Sequence, residues 1–175
     1  MTFYSQRNTW QDQWVDQKLA GKENGVFLDV GCGDWSRINN TLYFEESKNW
    51  SGFAIDCNPD VEVGWRYNRP NSKFVLADAT AIDYSELLCD QPKQIDYLSL
   101  DLEPPYLTIR ALRRILESGY RFSCATIEHD EYRIGMNMRD EMRELMDKHG
   151  YSLEETRNRQ DDFYIDAGVK NASIA

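Results

Sequence analysis

From residue 25 onward, short apolar runs alternate with longer stretches in which apolar residues recur every three or four positions. The first pattern is that of buried strands, the second that of helices packed on a sheet. Strands are predicted over 26–30, 52–55, 74–76, 95–100 and 122–127, and helices over 36–47, 60–68, 83–90, 105–118 and 137–149. Such alternation is the mark of βαβ units and a parallel sheet. In the helix over 105–118, Ile109, Leu112, Ile115 and Leu116 share one face, Arg110, Arg113, Arg114 and Glu117 the other, and Gly119 ends it. The helix over 137–149 turns Met138, Met142, Leu145, Met146 and His149 inward and stops at Gly150. Two strand-like pieces follow, 151–155 and 162–165, joined by the polar turn 157–160; so short a connection makes them antiparallel. The expected architecture is α/β: a Rossmann-like, seven-stranded, mostly parallel sheet with a terminal antiparallel hairpin and helices on both faces. Residues 1–24 are polar and aromatic, and Trp10, Trp14 and Val15 are spaced for a short helix packed on a single domain spanning 25–175.

Charge narrows the partners. Among 175 residues, 30 are acidic and 20 basic, a net charge of -10 that repels polyphosphates and anionic membrane surfaces alike. Nucleic acid is therefore an unfavoured partner. No apolar run approaches the roughly 20 residues of a spanning helix, and the N-terminal residues lack the apolar core of a signal peptide. Cysteines 32, 57, 89 and 124 form no Cys-x-x-Cys pair, which fits reduced thiols in a cytoplasmic protein better than a disulfide framework or a zinc site.

The candidate chemistry starts where the first strand ends. Gly25-Val26-Phe27-Leu28-Asp29-Val30-Gly31-Cys32-Gly33 is a strand running into a glycine turn, with helical spacing resuming from Trp35. Glycines at 31 and 33 permit positive φ and close ligand approach, and strand, glycine loop and helix together suggest a nucleotide cofactor with an anionic group at the helix start. Asp29, Asp56, Asp78 and Asp101 each close a predicted strand. In a parallel sheet those ends lie along one edge, where ligands bind. By position, Asp56 suits a ribose diol and Asp78-Ala79 an adenine amino group. Each Asp taken singly also fits a helix cap or turn; four in register fit a ligand edge better.

These residues resemble a known family. Asp29-Val-Gly-Cys-Gly-Asp34, Asp56 and Asp78-Ala79 look like the motifs of class I S-adenosylmethionine-dependent methyltransferases, whose sheet ends in the same hairpin. More narrowly the chain is similar to FkbM-like methyltransferases, through Gln11-Asp-Gln-Trp-Val15, Asn40-Thr-Leu-Tyr-Phe-Glu45, Tyr97-Leu-Ser-Leu-Asp-Leu-Glu103 and Thr126-Ile-Glu-His129. The resemblance implies that Gly31 and Gly33 face the methionine part of the cofactor, with Asn40, Thr41 or Gln11 near its carboxylate, Asp56 on the ribose and Asp78 with Ala79 on the adenine. Here, however, Glu103 is followed by Pro104-Pro105-Tyr106 where the family has glycine. That segment looks like the (Asp/Asn)-Pro-Pro-Tyr motif of amino-methyltransferases, with a side chain one methylene too long.

Hydroxyl methylation on a small molecule or saccharide is the favoured expectation, because the acidic chain lacks a visible basic groove. Asp101, Glu103, Glu128, His129 and Asp130 gather at the ends of the fourth and fifth strands. His129 is the expected general base, its ordinary pKa lying near neutrality, with Asp101 and Glu103 also catalytic and Tyr106, Glu128 and Tyr132 toward the acceptor. Asp101, Glu128 and His129 also suit Mg²⁺ or a similar hard cation. The segment 131–137, with Gly135 at its centre, reads as either a substrate lid or an irregular entry into the last helix. Three alternatives stay open: an amino-methyltransferase acting on adenine or cytosine, an NAD-dependent oxidoreductase using Gly31-x-Gly33-x-x-Ser36, and a non-catalytic cofactor-binding protein.

Overall fold

A computed structural model describes residues 2–168. The chain runs α1 (Gln11–Lys18), β1 (Val26–Val30), α2 (Leu42–Lys48), β2 (Ser51–Asp56), α3 (Pro59–Asn68), β3 (Ser72–Leu76), α4 (Tyr84–Leu87), β4 (Gln94–Leu100), α5 (Tyr106–Glu117), β5 (Arg121–Glu128), α6 (Glu131–Ile134), α7 (Met136–Lys148), β6 (Tyr151–Arg157) and β7 (Asp161–Asp166). The strands form one sheet in the order β3-β2-β1-β4-β5-β7-β6. β1 to β5 pair in parallel, and β7 is antiparallel to both β5 and β6. The strand order reverses at β1 and β4, so the switch point of this sheet lies between Val30 and Leu100.

Successive strand residues face opposite sides of the sheet, which is why β1 and β4 are buried on both. Leu28, Leu98 and Leu100 pack with Ile109 and Leu112 of α5 and Met142 and Met146 of α7. Their neighbours Phe27 and Tyr97 enter an aromatic cluster on the other side, with Trp14 of α1, Tyr43 and Phe44 of α2, Trp50 and Phe163. Helices thus cover both faces, as the sequence pattern requires. The N-terminal extension contributes Trp14 and Val15 to this aromatic cluster.

The stretch 36–47 is helical only from Leu42, because local side chains take the backbone N–H groups first. Asp34 Oδ1 accepts from Ser36 N and Arg37 N, and Asn39 Oδ1 from Thr41 N and Leu42 N. The segment 131–137 has the form of an irregular entry into the last helix: α6 stops before Gly135, with φ +83°, and α7 begins at Met136. Residues 169–175 of the expected domain lie outside the described residues.

Candidate active site

A cavity of about 350 Å³ opens at the carboxyl ends of β1, β2, β3 and β4. Gly31, Asp56-Cys57, Ala77 to Thr80, Asp101 to Glu103 and Leu107 line it. Its size is that of a small-molecule site. Leu102, Leu107 and Ala79 supply apolar wall, and Asp56, Asp78 and Asp101 supply acceptors.

The glycine loop is built differently from a phosphate cradle. Gly31 N and Cys32 N both donate to Ile55 O, at 2.9 and 3.1 Å, and Gly33 N donates to Asp56 Oδ2 at 2.9 Å. The loop's N–H groups are spent inside the protein, and the next helix starts only at Leu42. The expected anion site at a helix start is therefore not formed here. Gly31 has φ +78°, and a Cβ on it would stand 1.7 Å from the carbonyl oxygen of Asp101; Gly33 has φ +54° and open space where a Cβ would be. Gly31 lines the cavity with its backbone, whereas Gly33, expected to face the cofactor as well, is not among the lining residues.

Asp56 lines the cavity with its orientation set from both ends, Oδ2 by Gly33 N and Oδ1 by Asn58 N at 2.8 Å. Each carboxylate oxygen keeps a lone pair for a diol. Asp78 is exposed at the cavity; its Oδ1 accepts from Thr80 N and Oγ1, and the Thr80 hydroxyl, then the Thr80 N–H, hold its carboxyl below the usual range. Ala79 is buried beside it, its carbonyl fixed by the Tyr84 hydroxyl. Asn40 is half-buried at the switch point, Nδ2 donating to Ser99 Oγ at 3.1 Å. Thr41 is fully buried and donates to Asp29 Oδ2 at 2.9 Å, so its hydroxyl is already committed. Gln11 is 3.4 Å from Asp161 Oδ1, among the acidic residues, and does not line the cavity described above.

Asp29 also lies beneath the cavity rather than in it. Burial pushes its carboxyl up to about 6, against hydrogen bonds from Ser99 and Thr41 and the charge of Arg69; Asp56 nearby adds to the rise. A raised carboxyl favours the protonated folded state, so its contribution to stability is complete below about pH 4 and is lost as pH rises through about 6. Two units correspond to about 3 kcal/mol at most. Asp29→Asn is expected to flatten the thermal midpoint between about pH 4 and 7 relative to the unaltered chain. An unchanged pH profile in the variant would assign the dependence to other groups.

On the acceptor side, Asp101, Glu103, Glu128, Asp130 and Asp161 come together at the ends of β4 and β5 and the start of β7. Asp101 opens onto the cavity. Desolvation at the cavity wall, then Glu128 as hydrogen-bond partner and neighbouring charge, then Asp161 and Asp130, raise it well above the usual carboxylate range. Burial pushes Asp161 up to about 8, aided by Glu128. Glu103 is exposed and takes a hydrogen bond from Arg133 Nη1, which also reaches Asp130 Oδ2 at 2.6 Å. Tyr106 and Tyr132 are half exposed, at the starts of α5 and α6.

His129 is not where a general base is needed. Its side chain is buried, Nε2 lies 3.3 Å from Asp162 Oδ1, and Nδ1 accepts from Glu131 N at 3.2 Å. Although burial alone would raise Asp162, Arg143, then His129 and Thr156, hold it well below the usual range. The imidazole thus belongs to a buried network beneath α7, and the expected grouping of Asp101, Glu128 and His129 about one ion is replaced by Glu103, Glu128 and Asp130.

Sequence reasoning passed over two contributors, Arg69 and Asp161. Arg69 is buried; it donates to Glu45 Oε2 at 2.6 Å, to Asn39 Oδ1 and Thr41 Oγ1 at 3.1 Å, and lies 4.3 Å over the Trp65 ring. It ties the loop carrying Asn39 to Thr41 to the far end of α3. Asp161 enters the acidic group because the hairpin sets it opposite Glu128. Arg133 bridges Glu103 to Asp130. For Arg69 no local signal existed; for Asp161 the Asp161-Asp162 doublet opening the last strand was one.

No family model and no curated relative matches this chain. Solved structures do. It is similar to a TehB-like SAM-dependent methyltransferase from Corynebacterium glutamicum, with TM-score 0.59, 12% identity, and 90% of this chain and 88% of that one covered. An rRNA methylase from Streptococcus thermophilus gives TM-score 0.57 at 15% identity, covering 91% and 95%. Aeropyrum pernix fibrillarin with natively bound S-adenosyl-L-methionine gives 0.52 at 16%, covering 82% and 67%. The fold is the Rossmann-like methyltransferase fold. Identities this low establish the fold and not the reaction. Among the described residues, no helix is long and apolar enough to cross a membrane.

Proposed function

We propose that this protein is an S-adenosylmethionine-dependent methyltransferase acting on a hydroxyl of a cytoplasmic small molecule or saccharide. One observation carries the reading: four successive strand ends deliver Asp56, Asp78-Ala79, Gly31 and Asp101 to a single cavity. The donor set fits the group. Asp56, pinned by two backbone N–H groups, presents free lone pairs to a ribose diol. Asp78 keeps Oδ2 for an adenine amino group beside the small Ala79, and Asn40 stands at the switch point for the amino-acid end. The narrower FkbM-like resemblance rests on sequence motifs, chiefly Asn40-Thr41 and Ser99 to Glu103.

When bound, the cofactor supplies an electrophilic methyl group on a sulfonium. The chain's part is then to align and deprotonate the acceptor. Asp101 faces the cavity, and desolvation together with the neighbouring Glu128 raises its affinity for a proton. Asp101 is therefore assigned as the base in place of His129. Leu102 and Leu107 keep water from one wall, and Tyr106 and Tyr132 are available to an acceptor's apolar face.

The competing readings lose ground on geometry. A dinucleotide needs loop N–H groups for its pyrophosphate, and residues 31–33 have none to spare. An exocyclic amine held by Glu103 would have to compete with Arg133 for its carboxylate. Nucleic-acid methylation, suggested by the names of some structural relatives, meets the net charge of -10.

Calorimetry with S-adenosylhomocysteine and with NADH tests the cofactor. Saturable binding of the first alone is expected, and Asp56→Asn is expected to weaken it ten- to a hundredfold, the worth of a charge-assisted hydrogen bond of about 1.5–3 kcal/mol. Binding of NADH alone, or undiminished binding by the variant, would contradict the assignment. With labelled cofactor, transfer confined to adenine or cytosine would move the acceptor to the amino class.

A further inference from the structure

We propose that Glu103, Glu128 and Asp130 form a binding site for a hard divalent cation, at the acceptor side of the cavity and without His129. Their carboxylate oxygens lie within 4.8 Å of one another. Oxygen ligands about 2.1–2.5 Å from a common ion stand at such separations from each other. An all-carboxylate set suits Mg²⁺, Mn²⁺ or Ca²⁺ and not the nitrogen- and sulfur-seeking metals.

Proximity of acidic groups is not enough by itself, and the second observation is an unfilled acceptor. Asp130 is 1% exposed, and while its Oδ2 is held by Arg133, its Oδ1 is buried with no hydrogen-bond partner. A buried carboxylate oxygen left in that state is costly. Asp161, opposite Glu128 in the β5–β7 register, has a second such oxygen, Oδ2. Of the three orphaned carboxylate oxygens among the described residues, two lie in this acidic group and the third, Asp16 Oδ1, lies elsewhere. Arg133 shows that the group attracts positive charge: its guanidinium bridges Glu103 and Asp130 Oδ2, on two of the three proposed ligands, and leaves Asp130 Oδ1 unfilled. The arginine side chain is half exposed and can leave. An ion would satisfy the same pair and also engage Glu128, whose Oε1 accepts from Gln160 Nε2 at 2.6 Å and is thereby oriented.

The site does not depend on methyl transfer, so its test uses the chain without cofactor. Calorimetry and thermal unfolding are run with MnCl₂, MgCl₂ and CaCl₂ on the unaltered protein, on Glu128→Gln and Asp130→Asn, and on Glu86→Gln as a remote control. Both amides keep the size of the side chain and remove repulsion, so the variants are expected to fold. One saturable site with a raised thermal midpoint is expected for at least one ion in the unaltered protein and the control, weakened at least tenfold in both variants. A bound-type Mn²⁺ spin-resonance spectrum lost in Glu128→Gln would give the same answer independently. Absence of saturable binding, or equal binding by the variants, would overturn the proposal. So would stabilisation by a guanidinium or alkylammonium salt with none by the metals, which would assign the place to an organic cation. Failure of cofactor binding would leave this result untouched, and the two readings fail separately.

Discussion

Gly31→Ala is expected to lose a large share of the stability of the folded chain. A Cβ at this position would stand 1.7 Å from the Asp101 carbonyl oxygen and 2.8 Å from its carbon. That backbone cannot retreat cheaply, because Asp101 N donates to Val30 O at 2.9 Å where the β1–β4 pair closes. Left-handed φ in an L-residue costs about 1–2 kcal/mol, and forced overpacking adds about 1–3. A total of roughly 2–5 kcal/mol is a large share of the 5–15 typical of a domain, and a fall of roughly 10 °C in the thermal midpoint follows. Gly33→Ala shares only the backbone penalty, since nothing lies within 4 Å of its added methyl group. It is expected to fold with a small loss. Unfolding scans on the two variants check the contrast, and equal midpoints would refute the account of Gly31.

Arg69→Met is expected to cost about 3–5 kcal/mol, the usual consequence of leaving a buried carboxylate without its partner. Arg69 and Glu45 are 1% and 5% exposed in their side chains, and the guanidinium also satisfies Asn39 and Thr41. Methionine fills much of the volume and none of the hydrogen bonds. Because Thr41 in turn donates to Asp29, loosening reaches the floor of the cavity. The companion variant Glu45→Gln, which keeps one acceptor oxygen for either Arg69 or Asn71 and leaves no unpaired charge, should cost distinctly less. Chemical denaturation measures both; an Arg69→Met chain as stable as the parent would mean that the buried pair contributes nothing net.

The fold was legible because its signals are local. Alternation of apolar runs with helical spacing marked every strand, and the short turn after 155 foretold the antiparallel hairpin. Asp56, Asp78 and Asp101 were legible as a ligand edge because each ends a parallel strand, a position that sequence order alone defines. Element limits were less so: Asp34 and Asn39 capture backbone N–H groups and delay α2 to Leu42.

What the sequence could not supply were facts of side and depth. Asp29 and Thr41 sit next to the glycine loop in the chain, yet they face inward and hydrogen-bond each other below the cavity. Glu128 and His129 are consecutive, and the pleat sends them to different neighbours, Glu128 to Asp101 and Gln160, His129 to Asp162. Choosing between them needs the register of β7 on β5, set by pairing across the sheet. Arg69 reaches the loop around Asn39 from 30 residues away, and Arg133 reaches Glu103 over the same separation. By itself the sequence determined a methyltransferase-like sheet with acidic strand ends, because periodicity and strand-end chemistry are written residue by residue. Only the tertiary structure decided which carboxylates share a cavity, which histidine is withdrawn from it and which glycine is packed shut, because those depend on burial and on contacts between segments distant in the chain.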